Sequence, residues 1–276
     1  MTGTLFVVAT PIGNLDDITL RALRVLREAD LVLAEDTRET RKLLDAHGIG
    51  GKELWSLHEH NEAEKVAPVL GRVRGGDRVA LVSDAGTPLV SDPGYRLVRA
   101  CVELGLRVEP VPGACAMLAA LMGAGLPAER FSFVGFPPKK ASAARAWLGE
   151  RLRPPGTYAV YVPGRDAQEV VALIGERWPT ASVVVGRELT KLHETFHRGD
   201  AGSLVIPEDA RRGEAVVLVH LAEVTPETVE DEALAGDLRA LIERGLSRRD
   251  AVLAVAELRG VKRQRVQVIA NVLGGP

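Results

Sequence analysis

Through the first half of the chain, short apolar runs typical of strands alternate with segments whose apolar residues have helical spacing. Thr4–Ala9 is a short apolar run typical of a buried strand, whereas Thr19–Ala29 places Leu20, Leu23 and Leu26 on one face of a helix. The same alternation predicts strands at Leu31–Ala34, Arg78–Val82 and Arg107–Val111, and helices near Glu62–Val73, Pro93–Glu103 and Cys115–Leu121. Alternation of strands and helices favours a parallel sheet covered by helices on both faces.

Turns come closer together in the second half, and strands are more frequent. The pattern predicts a helix near Ala167–Glu176 and strands at Thr157–Val162, Ser182–Val185 and Ala215–Leu221, which we expect to pair partly antiparallel. The first sheet is expected to end around Phe131–Gly135, and the Pro- and Lys-rich segment Phe136–Lys140 indicates a hinge. We therefore predict an α/β fold with two α/β domains, residues 1–135 and 136–224.

The remaining residues, 225–276, predict helices without strands. An acidic connector, Pro226–Glu232, precedes them. Ser247 and Asp250 have the spacing of a capping box, and Gly260 is placed to end the helix that this box begins. Lys262–Leu273 forms a further helix with an apolar face. Two short basic helices joined by a tight turn are typical of a small nucleic-acid-binding module, although the pair would also serve as a packing appendage.

Composition places the chain among soluble globular proteins. Of its 276 residues, 46% are hydrophobic and 26% are charged, which is enough to bury a sizeable core. The longest apolar runs, such as Ala215–Leu221, are far shorter than the ~18 residues that a membrane span needs. The sequence passes from Met1 directly into a strand-like run, without the pattern of a secretory leader. We therefore expect a cytoplasmic protein without a membrane partner.

Cysteine and histidine usage argues against redox and zinc chemistry. Cys101 and Cys115 have no CxxC spacing and lie in apolar surroundings, so we expect both to be small buried hydrophobes. The six histidines form no HExxH or similar pair, and no zinc site is expected. A metal held by carboxylates is left open by this argument.

The net charge of −2 is distributed unevenly along the chain. From Ala235 to the end, eight basic residues oppose four acidic ones, and Lys139–Arg153 holds five basic residues against Glu150. Two separate basic segments on a nearly neutral protein indicate a polyanionic partner. Solvated helix faces would explain the charges equally well.

Four loops that follow predicted strands hold candidate chemistry. They span residues 9–15, 34–38, 83–88 and 111–114. Ligands of open α/β sheets bind at the carboxyl ends of strands, where small residues let the ligand approach the backbone. The first loop lacks a GxGxxG fingerprint, which argues against an ordinary dinucleotide oxidoreductase. We expect Asp84 to be functional, whereas Asp92 before Pro93 is interpreted as a helix N-cap, and Asp36 or Thr37 is the alternative start of a helix.

Taken in order, these loops resemble a known family. The segments TPIGNLDDIT, AEDTR, LVSDAGTPLVSDPGYRLV, VPGACA and GLPAERFSFVGFPP, together with Gly186–Gly199, Arg212–Val219 and the LSRRDAV tail, are similar to the bacterial small-subunit ribosomal RNA methyltransferase I family. The resemblance implies a class III, tetrapyrrole-methylase-like enzyme. Such an enzyme uses S-adenosylmethionine to methylate the ribose 2′-oxygen of a cytidine in the decoding centre of 16S rRNA in the small ribosomal subunit, and it is expected to be a homodimer.

Carried over residue by residue, the resemblance places the methyl donor in a cleft between the two domains. The donor is then expected to contact Pro11, Ile12, Gly13, Ser83, Asp84, Ala85, Gly86, Thr87, Pro112, Gly113, Ala114, Tyr161, Val162, Leu189 and Ala215. Tetrapyrrole methylases have a GxGxGD loop at the first position, and its absence favours an RNA substrate. The family usually continues from Tyr161 as Tyr-Glu-x-x-His-Arg, whereas this chain has Val162-Pro163-Gly164-Arg165. If the missing acid and histidine hold substrate or donor in the family, this enzyme is either weaker or makes that contact differently.

A ribose hydroxyl is a poor nucleophile until it loses its proton, so a base or a stabilising cation is expected near the acceptor. The predicted catalytic residues are Glu35, Asp36, Arg38 and Lys191, with Asp84 as a further candidate base. RNA phosphates are expected to contact Lys139, Lys140, Arg248, Arg249, Lys262, Arg263 and Arg265. With only 4% aromatic residues, extensive base-stacking surfaces are not expected. The alternatives are a tetrapyrrole- or diphthine-type methylase and a non-catalytic RNA-binding module.

Overall fold

The computed structural model describes residues 3–223 and 229–273. The first sheet is parallel, with strand order β3-β2-β4-β1-β5, and helices connect its strands. Its elements are β1 Thr4–Val8, α1 Leu20–Glu28, β2 Leu31–Ala34, α2 Thr37–Ala46, β3 Glu53–Ser56, α3 Glu62–Arg74, β4 Arg78–Val82, α4 Tyr95–Glu103, β5 Arg107–Val111 and α5 Ala116–Ala124. The prediction of a parallel sheet with helical crossovers is confirmed.

Both faces of this sheet are buried because its central strands are apolar at nearly every position, except Thr4 of β1 and Arg78 of β4. Val32 packs with α1 on one face, whereas Leu31 and Leu33 pack with α3 and α4 on the other. Successive side chains of a strand point to opposite faces, so a continuous apolar run such as β2 contributes to both cores. The edge strand β3 is short and partly exposed, and the sequence pattern missed it.

The second sheet has the order β6-β7-β10-β8-β9, with β6 parallel to β7 and the other pairs antiparallel. Its elements are β6 Phe131–Gly135, α6 Ala141–Arg151, β7 Gly156–Pro163, α7 Ala167–Gly175, β8 Ser182–Arg187, β9 Thr195–Asp200 and β10 Glu214–Leu221. The expected antiparallel pairing is confirmed. The pattern missed α6 and the edge strand β9, whose sequence TFHRGD has little apolar alternation.

The predicted domain boundary at residue 135 is wrong. Phe131–Gly135 is a strand of the second sheet, where it pairs with β7. The preceding helix α5 also packs on that sheet: Ala120 and Leu121 share a core with Val184 and Leu218. The crossover therefore occurs after β5, and α5 joins the two halves.

The tail contains three helices, α8 Asp231–Glu243, α9 Arg248–Arg259 and α10 Arg263–Leu273, which share one apolar core. The Ser247 hydroxyl accepts the Asp250 N–H at 3.2 Å, and Gly260 ends α9 with φ of 63°, as the capping pattern predicted. The predicted connector lies partly outside the described residues, as does the boundary at 224/225. Within the described residues, no helix is long and apolar enough to cross a membrane.

Two helical glycines should respond oppositely to the addition of one methyl group. A Cβ on Gly175 would lie 2.5 Å from the Ala201 carbonyl oxygen, whereas a Cβ on Gly71 would have no neighbour within 4 Å. We expect Gly175→Ala to lower the free energy of unfolding by about 2 kcal/mol through overpacking. Gly71→Ala should raise it by about 0.5–1 kcal/mol because alanine is the better helix former. Urea unfolding measures both, and a stable Gly175→Ala protein would contradict the packing argument.

Candidate functional site

A cleft of about 390 Å³ lies between the two halves of the molecule. The loops after β1 and β4 line it on one side, and the second sheet lines it on the other. These loops meet because β4, β1 and β5 are adjacent parallel strands in register, with Val8 beside both Val82 and Val111. Nine of the predicted donor contacts line this cleft: Ile12, Asp84, Ala85, Gly86, Thr87, Tyr161, Val162, Leu189 and Ala215.

The other six predicted contacts, Pro11, Gly13, Ser83, Pro112, Gly113 and Ala114, belong to the same loops but do not line the cleft. Hydrogen bonds and close contacts hold these loops together. Thr10 and Gly86 exchange backbone hydrogen bonds of 2.8 and 3.1 Å, and the Thr87 hydroxyl donates to the Ala114 carbonyl at 3.0 Å. A Cβ on Gly113 would lie 3.0 Å from the Ala9 methyl group. Small residues therefore let three loops pack into one continuous wall.

The opposite wall is a strained loop from the second half. Glu188 and Thr190 both have positive φ, 47° and 66°, conformations that cost energy in non-glycine residues. The Thr190 hydroxyl accepts the Asn14 N–H at 3.1 Å, which links the two halves. Lys191 lies beside Gly13, and its Nζ is 3.0 Å from both the Glu188 and the Glu214 carboxylates. Burial opposes the charged form of Lys191, but the two carboxylates hold its pKa above the ordinary value.

Asp36 and Arg38 do not have the freedom that their predicted catalytic roles need. Asp36 is the N-cap of α2: its carboxylate accepts the Arg38 N–H at 2.8 Å and pairs with the Arg38 guanidinium at 2.6 Å. The side-chain hydrogen bond from Arg38 lowers the pKa of Asp36 to about 2. So acidic a group is a weak base, and neither residue lines the cleft. The alternative interpretation of this segment as a helix start is the better one.

Asp84 and Glu35 are the two remaining candidate bases, and only Asp84 lines the cleft. Asp84 lines it and accepts the Asp36 N–H at 2.8 Å, which ties the loop after β4 to the loop after β2. Glu35 is outside the lining; burial and the nearby Asp84 raise its pKa, and His58 opposes the shift. Burial also raises the pKa of Asp84.

Asp92 lines the cleft, although the sequence pattern assigned it to a helix N-cap. That assignment is wrong because α4 begins at Tyr95, after Gly94. The carboxylate that binds the first amides of α4 belongs to Glu62, which is 6% exposed and accepts the Arg96 N–H at 2.7 Å. Burial raises the pKa of Asp92 to about 6, with further contributions from Glu35 and Asp84.

An aromatic corner at the cleft was also missed by sequence reasoning. Phe136 lines the cleft, is 56% exposed and meets the Tyr161 ring edge-on at 5.5 Å. The Tyr161 hydroxyl accepts the Met117 N–H at 2.9 Å, and Phe133 packs against its ring. Cys115 also lines the cleft and is only half-buried, which corrects the expectation of a buried residue; Cys101 is fully buried as predicted. The signal was the aromatic residue Phe136 at the start of the Pro- and Lys-rich segment, shortly after Phe131 and Phe133.

Three comparisons relate this chain to known proteins. Residues 4–205 match the family model described as Tetrapyrrole (Corrin/Porphyrin) Methylases. The chain is 43% identical to the ribosomal RNA small subunit methyltransferase I of Escherichia coli O157:H7, over 95% of this chain and 92% of that protein. It is 45% identical to the protein of the same name from Pseudomonas aeruginosa, over 95% and 94% of the two chains.

Solved structures share the fold at lower identity. The methyltransferase CobJ superposes with a TM-score of 0.59 at 22% identity, covering 80% of this chain and 95% of that chain. Uroporphyrin-III-C-methyltransferase from Thermus thermophilus gives 0.56 at 22% identity, covering 79% and 94%. Diphthine synthase gives 0.57 at 15% identity, covering 79% and 89%. These likenesses show that the chain shares its fold with these proteins.

Proposed function

The chain belongs to the ribosomal RNA small subunit methyltransferase I family of tetrapyrrole methylases, and we propose that it methylates the 2′-oxygen of a cytidine ribose in the decoding centre of 16S rRNA. S-adenosylmethionine is the methyl donor. The observation that supports the proposal most strongly is that nine predicted donor contacts, from loops far apart in sequence, line one cleft. A tetrapyrrole- or diphthine-type activity is the alternative.

The residues of the cleft fit such a donor. The volume of about 390 Å³ lies within the range typical of small-molecule sites. Apolar side chains of Ile12, Leu189 and Val216 would cover an adenine ring, and the Asp84 carboxylate can accept from ribose hydroxyls or an ammonium group. When bound, S-adenosylmethionine supplies an electrophilic methyl group on a sulfonium leaving group. The protein's contribution is to position donor and acceptor in line, exclude water and accept a proton.

Lys191 is the predicted catalytic residue that the structure places in the cleft lining. Its ammonium is already paired with Glu188 and Glu214, so we propose that it fixes the wall beside Gly13 rather than acting on the acceptor. Glu35, with its raised pKa, is proposed to act through its neighbours rather than on the acceptor itself.

RNA contacts are proposed on two basic surfaces. Lys139 and Lys140 are exposed and follow Phe136 after two prolines, so they place positive charge close to the aromatic corner. The second surface is formed by the exposed tail residues Arg248, Arg249, Lys262 and Arg263. Arg265 differs because it pairs with Asp231 at 2.6 Å and donates to the Val229 carbonyl, so we assign it to holding the tail together.

We also propose a cytoplasmic homodimer. The helix α5 is apolar throughout, and its outer side leaves Met122 88% exposed and Leu118 45% exposed. Exposed apolar side chains on one helix are typical of an interface between subunits. Analytical ultracentrifugation of the wild type and of Met122→Glu tests the association.

Phe136 is expected to stack on the base of the acceptor nucleotide. Stacking of one base on an aromatic ring contributes about 1–3 kcal/mol. Phe136→Leu keeps an apolar side chain but removes the flat ring, so KM for the RNA should rise about tenfold while the Kd of the donor stays unchanged. Leu192→Ala, at another exposed apolar position, is the control. An unchanged KM would contradict the stacking role.

The proposed function is tested by transfer of a radiolabelled methyl group from S-adenosylmethionine to undermethylated 30S subunits and to naked 16S rRNA. We expect the label at one cytidine, in an alkali-resistant dinucleotide, because 2′-O-methylation blocks the hydroxyl that alkaline cleavage requires. Label on the base would contradict 2′-O-methylation. Donor binding without any label on RNA would overturn the RNA substrate, and a tetrapyrrole precursor would then be tested as acceptor.

A further inference from the structure

We infer that Asp92 is the catalytic base that removes the proton from the acceptor hydroxyl. The inference rests on the proposed transfer to a ribose 2′-oxygen. Asp92 is not among the catalytic residues predicted from the sequence. It lies in a loop whose sequence is typical of a helix start.

Elimination among the acidic side chains of the cleft supports this assignment. Four of the described lining residues are carboxylates: Asp84, Asp92, Glu188 and Glu214. Glu188 and Glu214 both bind Lys191, and Asp84 accepts the backbone N–H of Asp36. Across residues 3–223 and 229–273, the ion pairs within 4 Å include none to Asp92. Asp84 and Asp92 are therefore the two cleft carboxylates without an ion pair among the described residues. Asp84 is held by a backbone N–H that joins two loops, whereas Asp92 has a hydrogen bond with Ser83.

The electrostatic surroundings of Asp92 suit proton transfer near neutral pH. Burial is the largest influence and raises its pKa to about 6; the negative charges of Glu35 and Asp84 act in the same direction, and a hydrogen bond with Ser83 opposes them. Tyr161 faces the same space, and burial keeps its hydroxyl protonated. A base works best when its pKa is close to the working pH, because it is then both ionised and able to hold the proton.

The fold holds Asp92 in place at an energetic cost. Leu89 and Ser91 have positive φ, 73° and 69°, which non-glycine residues adopt with strain. Gly94 follows with φ of 118°, where a Cβ would lie 2.6 Å from the Leu81 side chain. The Glu62 carboxylate then takes over the amides at the start of α4. Because Glu62 of α3 binds the first amides of α4, Asp92 is not needed as a helix cap, and its side chain lines the cleft instead.

In the proposed step one bond forms, one bond breaks and one proton moves. The acceptor oxygen forms a bond to the methyl carbon while the carbon–sulfur bond breaks and its electron pair remains on sulfur. The hydroxyl proton passes to a carboxylate oxygen of Asp92. Water later removes that proton from Asp92, which returns the enzyme to its starting state.

The test compares Asp92→Asn with the wild type, using Glu103→Gln as the matched control. Glu103 is an exposed carboxylate at the far end of α4, paired with Arg99. We expect Asp92→Asn to lower kcat by about 10²–10⁴-fold, with the Kd values of donor and RNA unchanged. The wild-type rate should rise with pH through about 6, the pKa of Asp92, and the variant should lose this dependence.

A second readout is independent of activity. The folded state raises the pKa of Asp92 above its value in the unfolded chain, so ionisation of Asp92 destabilises the fold as pH rises from about 4 to 6. Asp92→Asn should therefore have a higher melting temperature than the wild type at pH 8, and this advantage should shrink at pH 4. A structural helix cap would give the opposite result at pH 8.

The outcomes separate the inference from the proposed function. If the wild type labels the cytidine ribose and Asp92→Asn retains full kcat with the same pH profile, Asp92 is not the base. If Asp92→Asn is less stable than the wild type at pH 8, the residue is structural and the inference is overturned. If the wild type itself labels no RNA, the proposed function fails instead, and the stability comparison still measures the ionisation of Asp92.

Discussion

Gly86→Val should abolish donor binding while leaving the protein folded. Gly86 lines the cleft with φ of 82°, and a Cβ there would lie 3.2 Å from the Ile12 side chain. Valine would add three carbon atoms to the wall between these residues and would strain the backbone by about 1–2 kcal/mol. We expect the Kd of S-adenosylmethionine to rise at least 100-fold in isothermal titration calorimetry.

The control for this variant is Gly48→Val. Gly48 also has positive φ, 65°, but a Cβ there would have no neighbour within 4 Å. Both variants should therefore lose similar stability through backbone strain, and only Gly86→Val should lose donor affinity. If both bind the donor equally well, the cleft is not the donor site. If neither variant binds the donor, backbone strain rather than occlusion of the cleft explains the loss of binding.

Removal of the whole tail after residue 223 should produce the largest loss of RNA affinity. The exposed residues Arg248, Arg249, Lys262 and Arg263 would each neutralise a phosphate. The slope of log K against log salt is negative, and each contact makes it steeper. Loss of about four contacts to single-stranded RNA should therefore make this slope shallower by about 3. Filter binding from 50 to 200 mM salt measures this slope, and donor affinity should not change.

The truncation must include α8. Leu234 and Leu238 of α8 pack against Val252 and Val255 of α9, so a cut before α9 would expose an apolar face and favour aggregation. A folded control exchanges the four exposed basic residues for glutamine and should show the same change in salt dependence. An unchanged slope in both proteins would remove the tail from the RNA interface.

Much of the fold was predictable from local patterns. Strands β1, β2 and β4 are short, continuous apolar runs, and α9 begins and ends at the predicted capping residues. These features depend on residues a few positions apart, which is why sequence alone identifies them. The elements that were missed are edge strands or surface helices, whose few buried positions leave a weak periodic signal.

The family resemblance identified loops that the fold brings together at one cleft, but it did not show which side chains would face that cleft. Asp36 and Arg38 follow a strand in a pattern that indicates a site, yet their side chains bind each other at the start of α2. Asp92 precedes a proline as a helix N-cap commonly does, yet the carboxylate that binds the first amides of α4 is that of Glu62 in α3. Which carboxylate receives a partner depends on residues that are distant in sequence.

The sequence by itself determined the strand–helix order, the basic tail and the loops at the carboxyl ends of the strands. Only the tertiary structure decided that α5 and β6 belong with the second sheet, and that Phe136 and Asp92 both line the cleft. The physical reason is one of range. Propensity and periodicity act between near neighbours, whereas burial, ion pairing and pKa depend on packing between elements far apart along the chain.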